Sequence, residues 1–187
     1  MVNYWLAKQE PSGPRGYHIL DLKKDKTTVW DGIHNNQALK FMRDAKKGDE
    51  IIYYHTGVER QAVGIMTITS DPYPNPKEDN KRFIVVDVKF KKLFKTPITL
   101  DEMKLQKSFK NWELLRIMRL SFMPVPENIW KIILIEMVNY WLAKQEPSGP
   151  RGYHILDLKK DKTTVWDGIH NNQALKFMRD AKKGDEI

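Results

Sequence analysis

Two short stretches of this sequence combine aromatic rings with amide and cationic side chains. Residues 29–37 read VWDGIHNNQ and residues 53–56 read YYHT. A nucleobase outside its stack is held by aromatic stacking and by hydrogen bonds to its edge, which these side-chain types supply. Trp30 is equally suited to a hydrophobic core, and Asp31 and one of the two following asparagines are better explained as helix caps. The pattern therefore predicts a base-binding pocket, with packing and capping as competing interpretations.

The sequence lacks the motifs of several enzyme classes. It contains no P-loop, no GxGxxG after a strand, no HExxH and no GxSxG. The histidines of residues 1–136, His18, His34 and His55, do not have the spacing of metal ligands. No pair of carboxylates has a recognisable acid/base arrangement. We therefore expect a binding protein rather than an enzyme, with no metal and no cofactor.

Composition limits the compartment and the partners. Hydrophobic residues make up 41% of the chain, which is typical of a globular protein, and no apolar run is long enough for a membrane span. The absence of cysteine suits a reducing, cytoplasmic location. The formal charge is +8, of which a repeated segment contributes +2, so residues 1–136 carry about +6. This excess favours nucleic acid as partner, with no membrane association.

Hydrophobic periodicity predicts strands and short helices without a regular βαβ alternation, which favours an α+β barrel-like domain. Strands are predicted at 2–7, 50–57, 61–70, 82–94 and 119–125, the second and third forming a hairpin. Helices are predicted at 18–24, 35–49, 99–106, 111–118 and 126–134, with a proline-rich loop at 71–81. In the second helix, Ala38, Phe41, Met42 and Ala45 form an apolar stripe, and Gly48 is expected to end the helix. Alternation in the second strand places Tyr53 and His55 on one face and Tyr54 on the other.

Six blocks of sequence carry a family resemblance. In order, they are YWLAKQEP, TTVWDGIHNNQA, GDEIIYYHT, DPYP, VDVKF and LLRIMRLSFMPV, and they span nearly all of residues 1–136. Together they resemble the EVE domain family. This resemblance implies a PUA-like fold, a small curved β-barrel with flanking short helices, related to YTH and ASCH domains. It also implies binding of DNA or RNA through a pocket for a modified base, without a reaction of the domain's own.

The resemblance also implies which residues line the pocket. These are Lys8, Gln9, Trp30, Asn35, Tyr54, His55, Tyr73, Arg119 and Ser121. The chain departs from the family pattern at Gln9, where KSEP is usual, and at Ile33, His34 and Asn36, where VRNYQA is usual. These departures remove an arginine and a tyrosine from near the pocket, so the resemblance does not assign which base is bound.

A second hypothesis uses the same pocket differently. In it, the chain is a small-molecule or nucleotide-processing enzyme, or a ligand sensor, with Lys8, Glu10 or His55 as acid/base groups. A nucleic-acid pull-down across modified bases and a nucleotide turnover screen distinguish the two.

The chain repeats itself. Residues 137–187 are identical to residues 1–51, so the frames 1–136 and 52–187 contain the same domain in different order. The frame 52–187 cuts a predicted strand between Ile51 and Ile52, which favours 1–136 as a monomeric EVE domain. Residues 137–187 are then a displaced partial duplicate, disordered or docked in a domain-swapped oligomer. No second base site is expected there, because Trp166, His170 and Asn171 lack partners from 52–136.

Overall fold

A computed structural model of the chain describes residues 2–135, 153–165, 174–175 and 178–179. The chain divides into two compact units, Met1–Met137 and Val138–Ile187. Within the described residues, no helix is both long enough and apolar enough to cross a membrane.

The first unit alternates strands with short helices. The strands are β1 (Tyr4–Gln9), β2 (Thr27–Trp30), β3 (Glu50–His55), β4 (Gln61–Ile68), β5 (Tyr73–Pro74), β6 (Ile84–Thr99) and β7 (Phe122–Pro124). The helices are α1 (Ile19–Asp25), α2 (Asn36–Asp44), α3 (Leu100–Leu105), α4 (Glu113–Arg116) and α5 (Glu127–Ile135), with a 3₁₀ turn at Lys107–Phe109. The predicted β3–β4 hairpin is confirmed, and the proline-rich loop contains the two-residue strand β5.

The strands form a mixed sheet that curls into a partial barrel. Its order is β2-β6-β4-β3-β1-β7, and β5 pairs with β6. The pairing of β1 with β3 is parallel, whereas the other pairings are antiparallel. Register shifts interrupt the β3–β4 and β4–β6 pairings, and such bulges bend strands. The PUA-like α+β fold expected from the resemblance is therefore confirmed.

Helix α1 is held by tight packing on the sheet. Ile19 and Leu22 are buried, which supplies the packing that so short a helix needs. A Cβ atom on Gly64 of β4 would lie 2.4 Å from Ile19 Cδ1 and 2.5 Å from the backbone oxygen of Lys92, so this position in the strand accepts only glycine without rearrangement.

Helix α2 packs through the apolar stripe that its sequence predicts. Ala38, Met42 and Ala45 are buried, and Phe41 is half-buried. The helix ends at Asp44 rather than at Gly48, because Ala45 takes an extended backbone and enters the core.

The turn between α2 and β3 is fixed by one buried carboxylate. Asp49 accepts hydrogen bonds from the backbone N–H of Lys46 (3.0 Å) and of Asn3 (2.9 Å), and from Trp5 Nε1 (2.9 Å). Gly48 lies within this turn with a φ of +97°, a value that favours glycine.

In the second unit the structure describes one complete helix, α6 (Ile155–Asp161), none of whose residues is buried. Of the duplicated apolar stripe, Ala174 is half-buried and Met178 is exposed. Phe177 and Ala181 lie outside the described residues, as do Trp166, His170 and Asn171.

Candidate functional site

The C-terminal ends of β1 and β3 meet at one edge of the barrel. Because the two strands are parallel, Lys8 is paired with Tyr54 and Gln9 with His55. The backbone N–H of Lys8 donates to Ser121 O at 2.8 Å, which brings the segment before β7 to the same edge. In the sequence, only the family resemblance implied that these residues lie together. The strand pairing explains why they do.

A pocket of about 320 Å³ opens at this edge. Three cations (Lys8, Arg60, Lys104) and four apolar side chains (Leu100, Leu114, Leu115, Met118) line it, together with Tyr54, Thr56 and Gly57. We call it the basic pocket. Its volume is at the lower end of the range of roughly 300–1,000 Å³ that is usual for ligand sites.

The cations of the basic pocket are incompletely neutralised. Lys104 pairs with Asp101 at 2.8 Å, whereas neither Lys8 nor Arg60 has a carboxylate ion-pair partner in the part of the chain that the structure describes. Lys8 Nζ donates instead to Met118 O at 3.1 Å. Burial lowers the pKa of the Lys8 ammonium. A ligand oxygen that accepts a hydrogen bond from the ammonium would offset this desolvation, so the pocket is suited to a ligand with acceptor oxygens.

Tyr54 supplies a neutral donor beside these cations. Burial raises the pKa of its hydroxyl to about 12, and nearby Arg60 opposes that shift. The phenol therefore remains protonated at physiological pH.

His55, paired with Gln9 at the same edge, is directed into the protein. Its side chain is fully buried, and Nε2 accepts the backbone N–H of Ile19 at 3.2 Å. The proton is therefore on Nδ1, which donates to Glu59 Oε2 at 2.6 Å. Burial lowers the pKa of His55, and this hydrogen bond lowers the pKa of Glu59. Both ring nitrogens already have partners, so His55 positions the start of α1.

The same region brings His18, His55 and Glu59 within reach of one ion, since their potential ligand atoms lie within 4.8 Å of one another. His18 Nδ1 accepts the backbone N–H of Leu20 at 3.0 Å, just as His55 accepts that of Ile19. The second nitrogen of each neutral ring then carries a proton rather than a lone pair. The hydrogen bonds therefore fit helix capping and do not fit a metal site.

Other predicted pocket residues have internal partners. Trp30 is 5% exposed and meets Tyr53 edge to face with ring centroids 5.2 Å apart. Asn35 caps α2, its Oδ1 accepting from the backbone N–H of Gln37 and of Ala38. The Tyr73 hydroxyl donates to Asp87 at 2.7 Å. Burial, followed by this hydrogen bond, raises the pKa of Tyr73 to about 12.

Gln9, Arg119 and Ser121 complete the predicted set. Gln9 Nε2 donates to Arg15 O at 2.9 Å, which fastens the loop after β1. Arg119 is exposed and directly follows Met118 of the basic pocket, and Ser121 is half-buried. The structure thus brings Lys8, Tyr54 and Ser121 together. Arg119 lies two residues before Ser121 in sequence.

Sequence reasoning missed Arg60 and Lys104. Arg60 lies in the β3–β4 turn with a φ of +43°, and the predicted hairpin already placed that turn beside His55. Lys104 reaches the pocket because β6 ends opposite Gln61 and leads directly into α3. No local sequence pattern predicts that Lys104 lines the pocket.

Comparisons with known proteins agree with this architecture. The EVE domain family matches residues 3–136 and again residues 139–187. Thymocyte nuclear protein 1 of Rattus norvegicus is 33% identical, over 79% of this chain and 76% of the relative. The Homo sapiens protein of that name is 32% identical, over 79% of this chain and 77% of its own length.

Solved structures show the same similarity. The NMR structure of Rpa0253 from Rhodopseudomonas palustris has a TM-score of 0.65 at 34% identity, covering 73% of this chain and 92% of that one. Human THYN1, crystallised with DNA containing 5-methylcytosine, has a TM-score of 0.66 at 31% identity, covering 72% of this chain and 97% of that one. The chain belongs to the EVE domain family.

Proposed function

We propose that this chain is a non-catalytic nucleic-acid-binding module that takes a modified base into the basic pocket. The observation that carries the proposal is the composition of that pocket, in which Lys8 and Arg60, without an ion-pair partner among the described residues, lie beside an apolar wall. Human THYN1 has been crystallised with DNA containing 5-methylcytosine, which supports a methylated base as the ligand.

The two sides of the pocket match the two sides of such a base. A methyl group fits the wall formed by Leu100, Leu114 and Leu115, where it is removed from water. The Lys8 ammonium and the Tyr54 hydroxyl can donate to carbonyl oxygen on the base edge. Arg60 and the exposed Arg119 are suited to the phosphates that flank an extruded nucleotide.

Of the remaining predicted residues, we propose supporting roles for Trp30, Asn35 and His55. Their polar or aromatic groups already contact Tyr53, the N-terminus of α2, and α1 with Glu59. They hold the barrel and its helices in place around the pocket rather than touching the base.

The geometry does not favour the enzyme hypothesis. Glu10 accepts the Thr56 hydroxyl at 2.8 Å, His55 is enclosed, and Lys8 donates to a backbone carbonyl. Within the described residues, no hydrogen bond joins any two of these three groups into an acid/base pair. We therefore propose binding without turnover.

For the chain organisation, we propose residues 1–136 as the binding domain, monomeric by itself, and residues 137–187 as a displaced duplicate. The two compact units, divided after Met137, support this boundary. A cytoplasmic location stays a prediction from the absence of cysteine.

The test compares duplexes that differ only in one central base, either 5-methylcytosine or cytosine, with the full chain. We expect tighter binding of the methylated duplex and an affinity that falls with salt, with a slope of about −0.9 per phosphate contact. Arg60→Gln should weaken binding and make the slope shallower. Lys40→Gln removes an exposed charge from the outer face of α2 and should leave both unchanged.

Equal affinity for the two duplexes, with Arg60→Gln matching Lys40→Gln, would contradict the proposed site. Product release from free nucleotides would favour the enzyme hypothesis instead.

A further inference from the structure

A base that leaves a duplex for a protein pocket leaves a gap in the stack behind it. Proteins that distort duplexes insert apolar side chains between base steps. Large apolar residues with high exposure are therefore informative at this edge of the barrel. Val58, Leu105 and Met118 are 98%, 83% and 86% exposed. Of these three, Met118 lines the basic pocket, whereas the other two do not.

The backbone that carries Met118 is firmly attached. Lys8 Nζ donates to Met118 O at 3.1 Å, and the backbone N–H of Leu120 donates to Ile117 O at 3.2 Å. On either side, Leu114 and Leu120 are buried in the core. Met118 is therefore an exposed side chain on a fixed backbone, which is the arrangement that insertion into a stack requires.

The charges around Met118 suit the same partner. Arg116 and Arg119 are both exposed, two positions before it and one position after it. Neither has an ion-pair partner among the residues that the structure describes. An exposed apolar side chain with an exposed arginine on either side in sequence combines the groups that a base step and its phosphates would contact.

We propose that Met118 enters the base stack of duplex DNA at the position vacated by the base in the basic pocket, with Arg116 and Arg119 on the flanking phosphates. This inference rests on the proposed function and assigns to Met118 a positioning role that the sequence did not reveal. An unbranched, polarisable thioether adapts readily to such a gap.

The test uses three probes and three alanine variants of the full chain. The probes are a fully paired duplex with one central 5-methylcytosine, the same duplex with that base opposite an abasic position, and the corresponding single strand. The variants are Met118→Ala, Leu105→Ala and Val58→Ala, the last two being controls of similar exposure outside the pocket.

We expect Met118→Ala to weaken binding of the paired duplex by about tenfold. In this variant no side chain fills the gap, so nothing offsets the base stacking that is lost when the base leaves the duplex. The loss should be smaller on the duplex with the abasic position and absent on the single strand, which has no stack to fill. The control variants should bind all three probes as wild type does. Met118→Leu should restore duplex binding, since leucine is also used as a wedge.

A fluorescent base analogue next to the methylated base gives an independent readout. Wild type should raise its emission by unstacking it, and Met118→Ala should not. Because Met118 is exposed, unchanged melting of the variant checks that the fold is intact.

Wild-type duplex affinity in Met118→Ala would overturn the inference, while the proposed function would stand. An equal loss on the single strand would also overturn it, by showing that Met118 is merely a pocket wall. If wild type binds none of the three probes, the proposed function fails, and the inserted position of Met118 fails with it.

Discussion

The same seven residues, ILDLKKD, form a helix twice in this molecule, and only the surroundings differ. Helix α1 begins after His18, whose Nδ1 accepts from Leu20 N–H at 3.0 Å. Helix α6 begins after His154, whose Nδ1 accepts from Leu156 N–H at 3.1 Å. Both histidines complete a capping box with an aspartate three residues later. Helix initiation is therefore encoded within about eight residues and does not need the barrel.

Burial separates the two copies. Ile19 is 2% exposed and Leu22 is fully buried, whereas Ile155 is 69% exposed. Fully burying such a side chain contributes about 1.5–3 kcal/mol, several times more than the difference between two good caps. Strand β6 and Gly64 of β4 form part of the surface that α1 covers, and both lie in residues that occur once in the chain. The scaffold therefore determines which copy becomes part of the core.

The largest expected effect on stability comes from truncating Leu22 in the first copy, and the equivalent Leu158 of the second copy is the matched control. Leu22→Ala should lower the free energy of unfolding by about 2–5 kcal/mol, because it leaves a cavity in the core. Leu158→Ala should change it by less than about 0.5 kcal/mol. Chemical denaturation of the two variants measures both values.

The double variant sharpens this result. If Leu22→Ala alone costs little but the combination with Leu158→Ala costs the full amount, the second copy can replace the first in the barrel. The frame 52–187 would then be a competing fold. The two copies would differ only in the fraction of molecules in which each one occupies the barrel.

A smaller effect is expected for binding. Lys8→Gln should cost about 1.5–3 kcal/mol of affinity for a methylated duplex, as is usual for hydrogen bonds to charged groups. Lys144 is the equivalent lysine of the second copy, and Lys144→Gln should leave binding unchanged because residues 137–187 contain no counterpart of Tyr54 or Arg60. Loss of affinity in both variants would indicate that the second copy also contributes to a site.

A feature of the fold or of the candidate site could be predicted from the sequence when residues close together in the chain specify it. The helices α1 and α2 and the β3–β4 hairpin follow from local periodicity, caps and turn residues. The parallel pairing of β1 with β3, which joins Lys8 to Tyr54, has no local signal. Asn35 shows the same limit, because a cap and a pocket donor have the same side chain and only the fold assigns its partners.

The smallest expected effect is a loss of stability of α1 at low pH. Helix α6 should not show this loss. Burial lowers the pKa of His55, so the folded state favours the neutral ring that accepts from Ile19 N–H. Its contribution to stability is complete above its unfolded pKa of about 6.5 and is lost as the pH falls towards the lower folded value. Glu59, whose pKa is lowered by His55, adds a second loss below its ordinary value of 4.5.

Thermal melting between pH 7.5 and pH 4 should therefore show falling stability, with the amides of α1 losing protection first. Because residues 52–136 occur once, His55 has no counterpart in the second copy, so α6, for which little protection is expected at any pH, should show no comparable loss. Identical acid responses of the two helices would contradict this assignment.

Hydrogen exchange with mass spectrometry tests most directly whether the scaffold selects one copy. A peptide covering 18–25 has the same mass as one covering 154–161, so both copies report in a single spectrum. We predict two isotope envelopes of equal intensity at all intermediate times, one protected and one fully exchanged, since an unpacked seven-residue helix opens readily. Residues 1–136 alone should give only the protected envelope. A single envelope of intermediate mass from the full chain would show that the copies interchange or share one environment, and would contradict the selection of one copy by the barrel.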